Sequence, residues 1–240
     1  MGLHHSPNAV TNGLVMYLDA GNPRSYSGTG TTWADLSGNA LNGTLFNSPT
    51  FNTSGHFSFA NSSTQIVSFS NSSRFHFLGK SQCSFELWLR LTSPPGYQTY
   101  KRIFDRESNP GGGRDGYNFL IDNSLDGTNI TFSFERWSNG AGAGGTQYTV
   151  TQTSISNLWI HWTIIVDGLR SYIYRNGSLV STSGSALLDI TNTVASLDLA
   201  NQGGAASIGG DMSMFKVYNV ALSADSVKQN FNATRSRYGI

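Results

Sequence analysis

Two glycine-rich stretches of this sequence carry side chains able to do chemistry. Tyr97, Tyr100, Arg114, Asp115 and Tyr117 fall in or beside residues 97–106 and 108–116. Arg136 and Trp137 lead into residues 138–145, which are nearly all Gly, Ala, Ser and Asn. Flat aromatic rings and planar polar side chains are the groups that stack on sugar rings and hydrogen-bond their hydroxyls. Glycine-rich loops on a rigid frame are frequent places for such binding. Trp137 is the first choice for a stacking platform; the competing reading is that it ends a strand and packs.

Nucleophilic chemistry has less to work with. The histidines, at 4, 5, 56, 76 and 161, are scattered, and no G-x-S-x-G nucleophile elbow occurs. His4-His5 sits in a polar lead-in, which makes no rigid metal site. His161 is expected to pack against Tyr174. Cys83 is the sole cysteine, so no intrachain disulfide can form, and its strand-like surroundings read as a small buried hydrophobe.

The elements that must hold these residues are strands. Trp159 to Val180 reads as a three-stranded meander with two-residue turns at Asp167-Gly168 and Asn176-Gly177. That register pairs Val166 with Leu169, Trp162 with Ile173, and Ile173 with Val180. One face then carries Trp162, Ile164, Val166, Leu169, Ile173 and Val180, a core face. The other carries Trp159, His161, Ile165, Tyr172, Tyr174 and Leu179, and a second apolar face must also be covered. Further short strands are expected at Leu14–Leu18, His56–Phe59, Gln65–Phe69, Ser84–Leu91, Arg102–Asp105, Tyr117–Asp122, Ile130–Glu135, Tyr148–Gln152, Val194–Leu199 and Ser213–Tyr218. Thr31 to Gly43 reads as a loop. One helix is expected over Ala224–Phe231, capped by Ser223, with Asp225 at its positive end. The organisation is a lead-in over 1–13, one domain over 14–231 and a tail over 232–240.

Bulk properties narrow the class. Charged residues make up 12% and the formal net charge is +1, so no field attracts nucleic acid or an anionic membrane. No apolar run is long enough to span a membrane and no signal peptide is visible, which predicts synthesis in the cytoplasm. A chain this long buries roughly 70% of its unfolded surface.

Several motifs together resemble the concanavalin A-like lectin/glucanase superfamily, and within it the laminin-G-like domains. Ser84-Phe-Glu-Leu-Trp-Leu is similar to that family's F-x-E-x-W strand. Trp159-Ile-His161-Trp, Asp167-Gly168 and Tyr174-Arg-Asn176-Gly177 resemble its meander, and Met214 to Ser223 its closing strand and helix start. The ends, Gly13 to Pro23 and Gln229 to Gly239, look like those of laminin-G-like domains in tailed-bacteriophage virion proteins. The resemblance implies an all-β fold, a two-sheet antiparallel jelly-roll sandwich with one short C-terminal helix. It also assigns the Trp, His and Tyr of the meander's second face to packing.

Glucanases of this fold carry acids in an E-x-D-x-x-E strand; Glu86, Glu107 and Glu135 show no such partner. Glu86 is expected to accept structural hydrogen bonds, and the chain is expected not to be an enzyme. Calcium is the cofactor to consider, with Asp19, Asp35, Asn39 and Asp211 as weak ligands. The positions where related domains offer Asp-Glu are Ser213 and Met214 here, and Asx-turns account for Asp19 and Asp35. Lys228, Arg235, Arg237 and Tyr238 are candidates for assembly. The resulting expectation is a virion surface protein, a capsid decoration or tail component, that oligomerises with itself and contacts other virion proteins and host surface glycans. The alternative is a free-standing lectin; a glycoside hydrolase is less favoured.

Overall fold

The computed structural model describes residues 8–61, 64–92, 100–108, 113–123, 128–184, 187, 189–191, 194–201 and 207–240. They form two antiparallel sheets packed face to face and one short helix. In chain order the strands are β1 Leu14–Asp19, β2 Thr32–Trp33, β3 Gly43–Phe46, β4 Thr50–Asn52, β5 His56–Phe59, β6 Ile66–Phe69, β7 Cys83–Leu91 and β8 Tyr100–Ser108. Then follow β9 Asp115–Asp122, β10 Asn129–Ser138, β11 Ala141–Thr151, β12 Trp159–Val166, β13 Ser171–Arg175, β14 Ser178–Thr182, β15 Leu197–Leu199 and β16 Gly210–Tyr218. One sheet runs β14-β13-β12-β7-β16-β5-β4, with β1 also paired to β16. The other runs β11-β10-β9-β8-β15-β6-β3-β2. No helix among the described residues is long and apolar enough to cross a membrane. The fold is the expected all-β jelly-roll sandwich. Thr31 to Gly43 is not wholly loop, because Thr32 and Trp33 pair with Thr44 and Gly43, and Trp33 is buried.

The meander forms with two register changes, one at its first turn and one where β13 meets β14, so that Ile173 pairs with Ser181 and not with Val180. Asn176 and Gly177 both have positive φ, and Arg175 pairs with Ser178, a two-residue turn. Asp167-Gly168 does not make one. The Asp167 carboxylate accepts the backbone N–H of Leu169 at 2.8 Å and of Arg170 at 2.7 Å, so the loop runs over four residues and Val166 pairs with Ser171. Ile164 therefore faces Ile173, and Leu169 falls into the loop, 65% exposed. A slip of two residues keeps every other side chain on its face. Trp162, Ile164, Val166 and Ile173 join the central core with Ile160.

The second face is covered by the chain's own ends. Helix α1, Ala224–Thr234, starts at Ser223, whose side chain accepts the Ser226 N–H. Val227 packs with Ile165, Leu222 and Tyr218. Phe231 and Tyr238 pack on Trp88 and Trp159. Tyr238 stacks on Trp88 with ring centroids 3.8 Å apart. Beneath the helix lies a buried polar cluster. Glu86 is 2.9 Å from Lys216 Nζ and 3.1 Å from His161 Nε2, and accepts from Asn230 Nδ2 at 2.6 Å. Glu86 is thus a structural acceptor, as expected. His161 does not pack on Tyr174; its neighbours are Glu86, Trp88 and Phe231, because Tyr174 pairs with Thr163. Cys83 is buried, which pushes its thiol up to about 12.

Candidate functional site

The glycine-rich run after Trp137 is a strand arm, not a loop. Asn139 and Gly140 have positive φ, and Ser138 pairs with Ala141 across them. This Asn-Gly hairpin turn has the same chemistry as the one in the meander. Residues 100–108 and 115–122 are likewise strands. β10 alternates: Ile130, Phe132 and Phe134 enter the core, which puts Glu135 and Trp137 on the outer face. A β-bulge interrupts the β10–β11 pairing between Glu135 and Trp137, opposite Gly142 and Gly145.

Around Trp137 the outer face holds a fixed polar frame. The Arg114 guanidinium carbon lies 4.0 Å from the indole centroid. Arg114 Nη2 donates to Glu107 Oε2 at 2.6 Å and to Oε1 at 2.8 Å, and lies 3.6 Å from Glu135 Oε2. Trp137 Nε1 donates to Glu135 Oε2 at 3.1 Å, and Asn118 Nδ2 bridges Glu107 and Glu135. The indole is therefore held by a cation on its face and an acceptor at its nitrogen, the preorganisation a stacking platform needs. It borders a groove of about 460 Å³, within the range of small-ligand sites. Ser133, Glu135, Arg136 and Gln147 also line it, with Gly142, Gly144, Gly145 and Thr146 of β11 and residues 181–184 following from β14. The lining combines hydroxyls, an amide, one aromatic ring, the charged residues Glu135 and Arg136, and bare backbone.

The remaining sugar candidates are placed differently. Tyr117 is 1% exposed, lies in the core, and donates its hydroxyl to Phe75 O. Asp115 is buried and accepts from Thr191. Tyr100 is exposed but pairs with Asp122 at the opposite end of β8 from Glu107. Tyr97 lies outside the described residues, as do His4 and His5. Strand alternation decides these outcomes: Tyr117 and Trp137 are both aromatic, but only one has outward parity.

The weak calcium set does not assemble. Asp19 accepts from Arg237 Nη1 at 2.6 Å and Gly21 N at 2.9 Å. Asp35 accepts from the N–H groups of Tyr17, Ser37 and Leu41 and from Ser37 Oγ. Asn39 donates to Val15 O, and Asp211 is held by Ser58 and Arg90. Their carboxylate oxygens face hydrogen-bond donors, which a cation would have to displace. No group of three His, Cys, Asp or Glu able to hold a metal occurs among the described residues. Of the assembly candidates, Lys228 and Arg235 are exposed. Arg237 and Tyr238 are engaged within the chain, through Asp19, Gly55 O, Ser213 and Trp88.

One acid pair escaped the sequence reading. Glu107 has a partner two residues before it, Asp105, and alternation puts both on the outer face of β8. Asp198 pairs with Asp105 from the next strand. Burial, then Glu107, push the Asp105 carboxyl up to about 8, against Arg102 at 3.4 Å. Asp105 and the Glu107 side chain are almost wholly buried. A search for glutamates alone missed the pair. The groove's other contributors, Ser133, Gln147 and residues 181–184, were missed for another reason. Asn139-Gly140 was a legible hairpin signal for β11, but nothing local brings the end of β14 from the other sheet.

Comparisons with known proteins agree with this architecture. No curated protein sequence matches the chain. Among solved structures it is similar to the binding domain of botulinum neurotoxin serotype D, with a TM-score of 0.66 and 14% identity over 93% of this chain and 52% of that one. The binding domain of Paraclostridial Mosquitocidal Protein 1 gives a TM-score of 0.62 and 17% identity over 93% and 52%. A Trypanosoma rangeli sialidase gives 0.63 and 11% over 94% and 33%. The chain thus spans about half of each toxin domain and a third of the sialidase, and at these identities the likeness is one of fold. The family model described as concanavalin A-like lectin/glucanases superfamily matches residues 60–228. With two sheets, the F-x-E-x-W strand and the closing strand and helix all in place, the chain belongs to the concanavalin A-like lectin/glucanases superfamily.

Proposed function

We propose that this chain is a non-enzymatic carbohydrate-binding module that seats a sugar ring in the groove beside Trp137. The observation that carries the reading is the pinned indole bordering a groove lined by Ser133, Thr146, Gln147 and Ser181. Hydroxyls and an amide match sugar hydroxyls, and the ring matches a sugar's apolar face. The toxin binding domains among its structural neighbours favour binding over catalysis. So does the burial of Asp105 and Glu107, which keeps that acid pair from a glycosidic bond. A glycan array followed by calorimetry tests this. The wild-type chain should bind, and Trp137→Ala should weaken binding at least about tenfold, more than 1.4 kcal/mol. A wild-type chain silent on the array would end the proposal.

We further propose that the module serves as an accessory subunit on a virion surface, as a capsid decoration or tail component. Support comes from the likeness of Gly13 to Pro23 and Gln229 to Gly239 to virion domain ends. These segments lie together, joined by Arg237–Asp19. Mass spectrometry of purified particles should find the chain, with hundreds of copies for a capsid position and fewer for a tail. Its absence from particles would leave the free-standing lectin.

A further inference from the structure

The outer face of the helix-bearing sheet carries a second groove, across the sandwich from Trp137. Strand register builds it. Thr50 pairs with Ser58, Ser58 with Asp211, Asp211 with Arg90, and Arg90 with Trp159. The flanking Phe57, Phe59, Leu89, Leu91 and Met212 enter the core, so this row across five strands points outward. Asn52 and His56, paired with each other, lie two residues along on the same face. The C-terminal tail covers one end of that face, where the Tyr238 ring lies 5.1 Å from Trp159. Beside it is a groove of about 360 Å³ whose lining includes Thr50, Asn52, His56, Ser58, Arg90 and Asp211.

The charges of the row balance. Arg90 Nε donates to Asp211 Oδ2 at 2.7 Å, and Arg90 Nη2 lies 2.6 Å from the same oxygen. Asp211 Oδ1 accepts from Ser58. The Arg90 guanidinium carbon rests 4.9 Å from the Trp159 centroid. His56 is 7% exposed, and burial holds its imidazole below its ordinary value, with Arg90 and Arg237 helping against the pull of Asp211. The ring is therefore neutral at physiological pH. Its Nδ1 meets Ser54 Oγ at 3.1 Å, but Nε2 lies 4.0 Å from Asp211 Oδ1, beyond hydrogen-bond reach. Among the described residues Nε2 has no hydrogen-bond partner, and neither has Asn52 Oδ1 or Arg90 Nη1. An imidazole more than nine-tenths buried with one open nitrogen has lost most of its water there, and a bound hydroxyl would replace it.

We infer that this groove is a second binding site, for a neutral sugar residue whose hydroxyls are taken by His56 Nε2, Asn52 Oδ1 and Arg90 Nη1. A hydroxyl both donates and accepts, and the open groups are an acceptor, a donor and an imidazole nitrogen. An anion would use only Arg90, whose charge Asp211 already answers, and a cation only Asn52. The inference stands apart from the Trp137 groove. Two sites on opposite faces let one chain bridge two glycans, which raises avidity for a glycan-dense surface.

The test follows the His56 ring protons by NMR in the full chain carrying Trp137→Ala, which removes stacking at the other groove. Glucose, galactose, mannose and N-acetylglucosamine are titrated, with glucuronic acid and glucosamine as charged counterparts. At least one neutral sugar should shift the His56 signals saturably, with a Kd below about 10 mM, and the charged sugars should bind no more tightly. Thr50 is exposed on the edge strand β4. Thr50→Trp should therefore obstruct the groove and weaken that sugar at least about tenfold. Should either variant fail to fold, titration of the wild-type chain decides alone, because His56 and Trp137 lie on different sheets. A His56 signal that no neutral sugar shifts saturably, or a shift that survives Thr50→Trp, would overturn the site and leave the Trp137 reading standing. Tighter binding of glucuronic acid or glucosamine at His56 would overturn the neutral ligand class.

Discussion

Replacing Lys216 by methionine should reverse how stability responds to acid. Glu86 and Lys216 are both buried beneath helix α1, 2.9 Å apart. Burial pushes the Glu86 carboxyl up, but Lys216, with His161, outweighs it and holds the group at about 2, against an ordinary 4.5. At ~1.4 kcal/mol per pH unit that gap corresponds to about 3 kcal/mol of stability. The folded value lies below the unfolded one. The contribution is therefore complete above about pH 4.5 and is lost as pH falls towards 2. In Lys216→Met the carboxylate keeps its burial and loses its main counter-charge, so its folded value should rise above the unfolded one. Stability at pH 7 should fall by about 3–5 kcal/mol, the cost of stranding a buried charge. It should then recover, not decline, as pH is lowered from 7 to 4. Urea denaturation followed by far-UV circular dichroism between pH 3 and 8 measures both effects. An unchanged midpoint at pH 7, or a variant that tracks the wild type on acidification, would refute the reasoning.

Other consequences are simpler. Tyr238→Ala should cost about 2 kcal/mol, through the lost stack on Trp88 and the lost bond to Ser213. Lys228→Ala and Arg235→Ala should stay within about 0.5 kcal/mol; equal effects in thermal melts would contradict the inward role of the tail. Asp105, held near 8 by burial and Glu107, takes up a proton on folding at neutral pH. Its cost to stability begins as pH rises through the ordinary Asp range and is complete above about 8. Asp105→Asn should therefore raise the melting temperature more at pH 9 than at pH 5, and an equal change at both would count against the burial argument.

Much of the framework was legible because it is local. Asn176-Gly177 set a turn through backbone φ alone, and Ser223 set a helix start through one side-chain hydrogen bond. Asp167-Gly168 was misread because the Asp167 carboxylate captured two backbone N–H groups and lengthened the loop. That competition depends on a rotamer, not on a dipeptide. The run 138–145 was misread as a loop because glycine content outweighed the Asn139-Gly140 signal, although the pairing partner, β10, stood directly before it.

The order of residue types along the chain determined the two-sheet architecture, the meander's core face and the presence of Trp137 beside a glycine-rich arm. Hydrophobic alternation and turn chemistry act over a few residues, and they survive without knowledge of what lies across the molecule. The same alternation separated the buried Tyr117 from the outward Trp137, and the rest was left to tertiary structure. It alone brought the end of β14 from one sheet against β11 of the other to wall the groove. It also decided that Arg136 would be buried with donors to spare. The physical reason is that burial, partnering and charge balance are properties of neighbours distant in sequence, and a side chain's chemistry depends on those neighbours as much as on its own type.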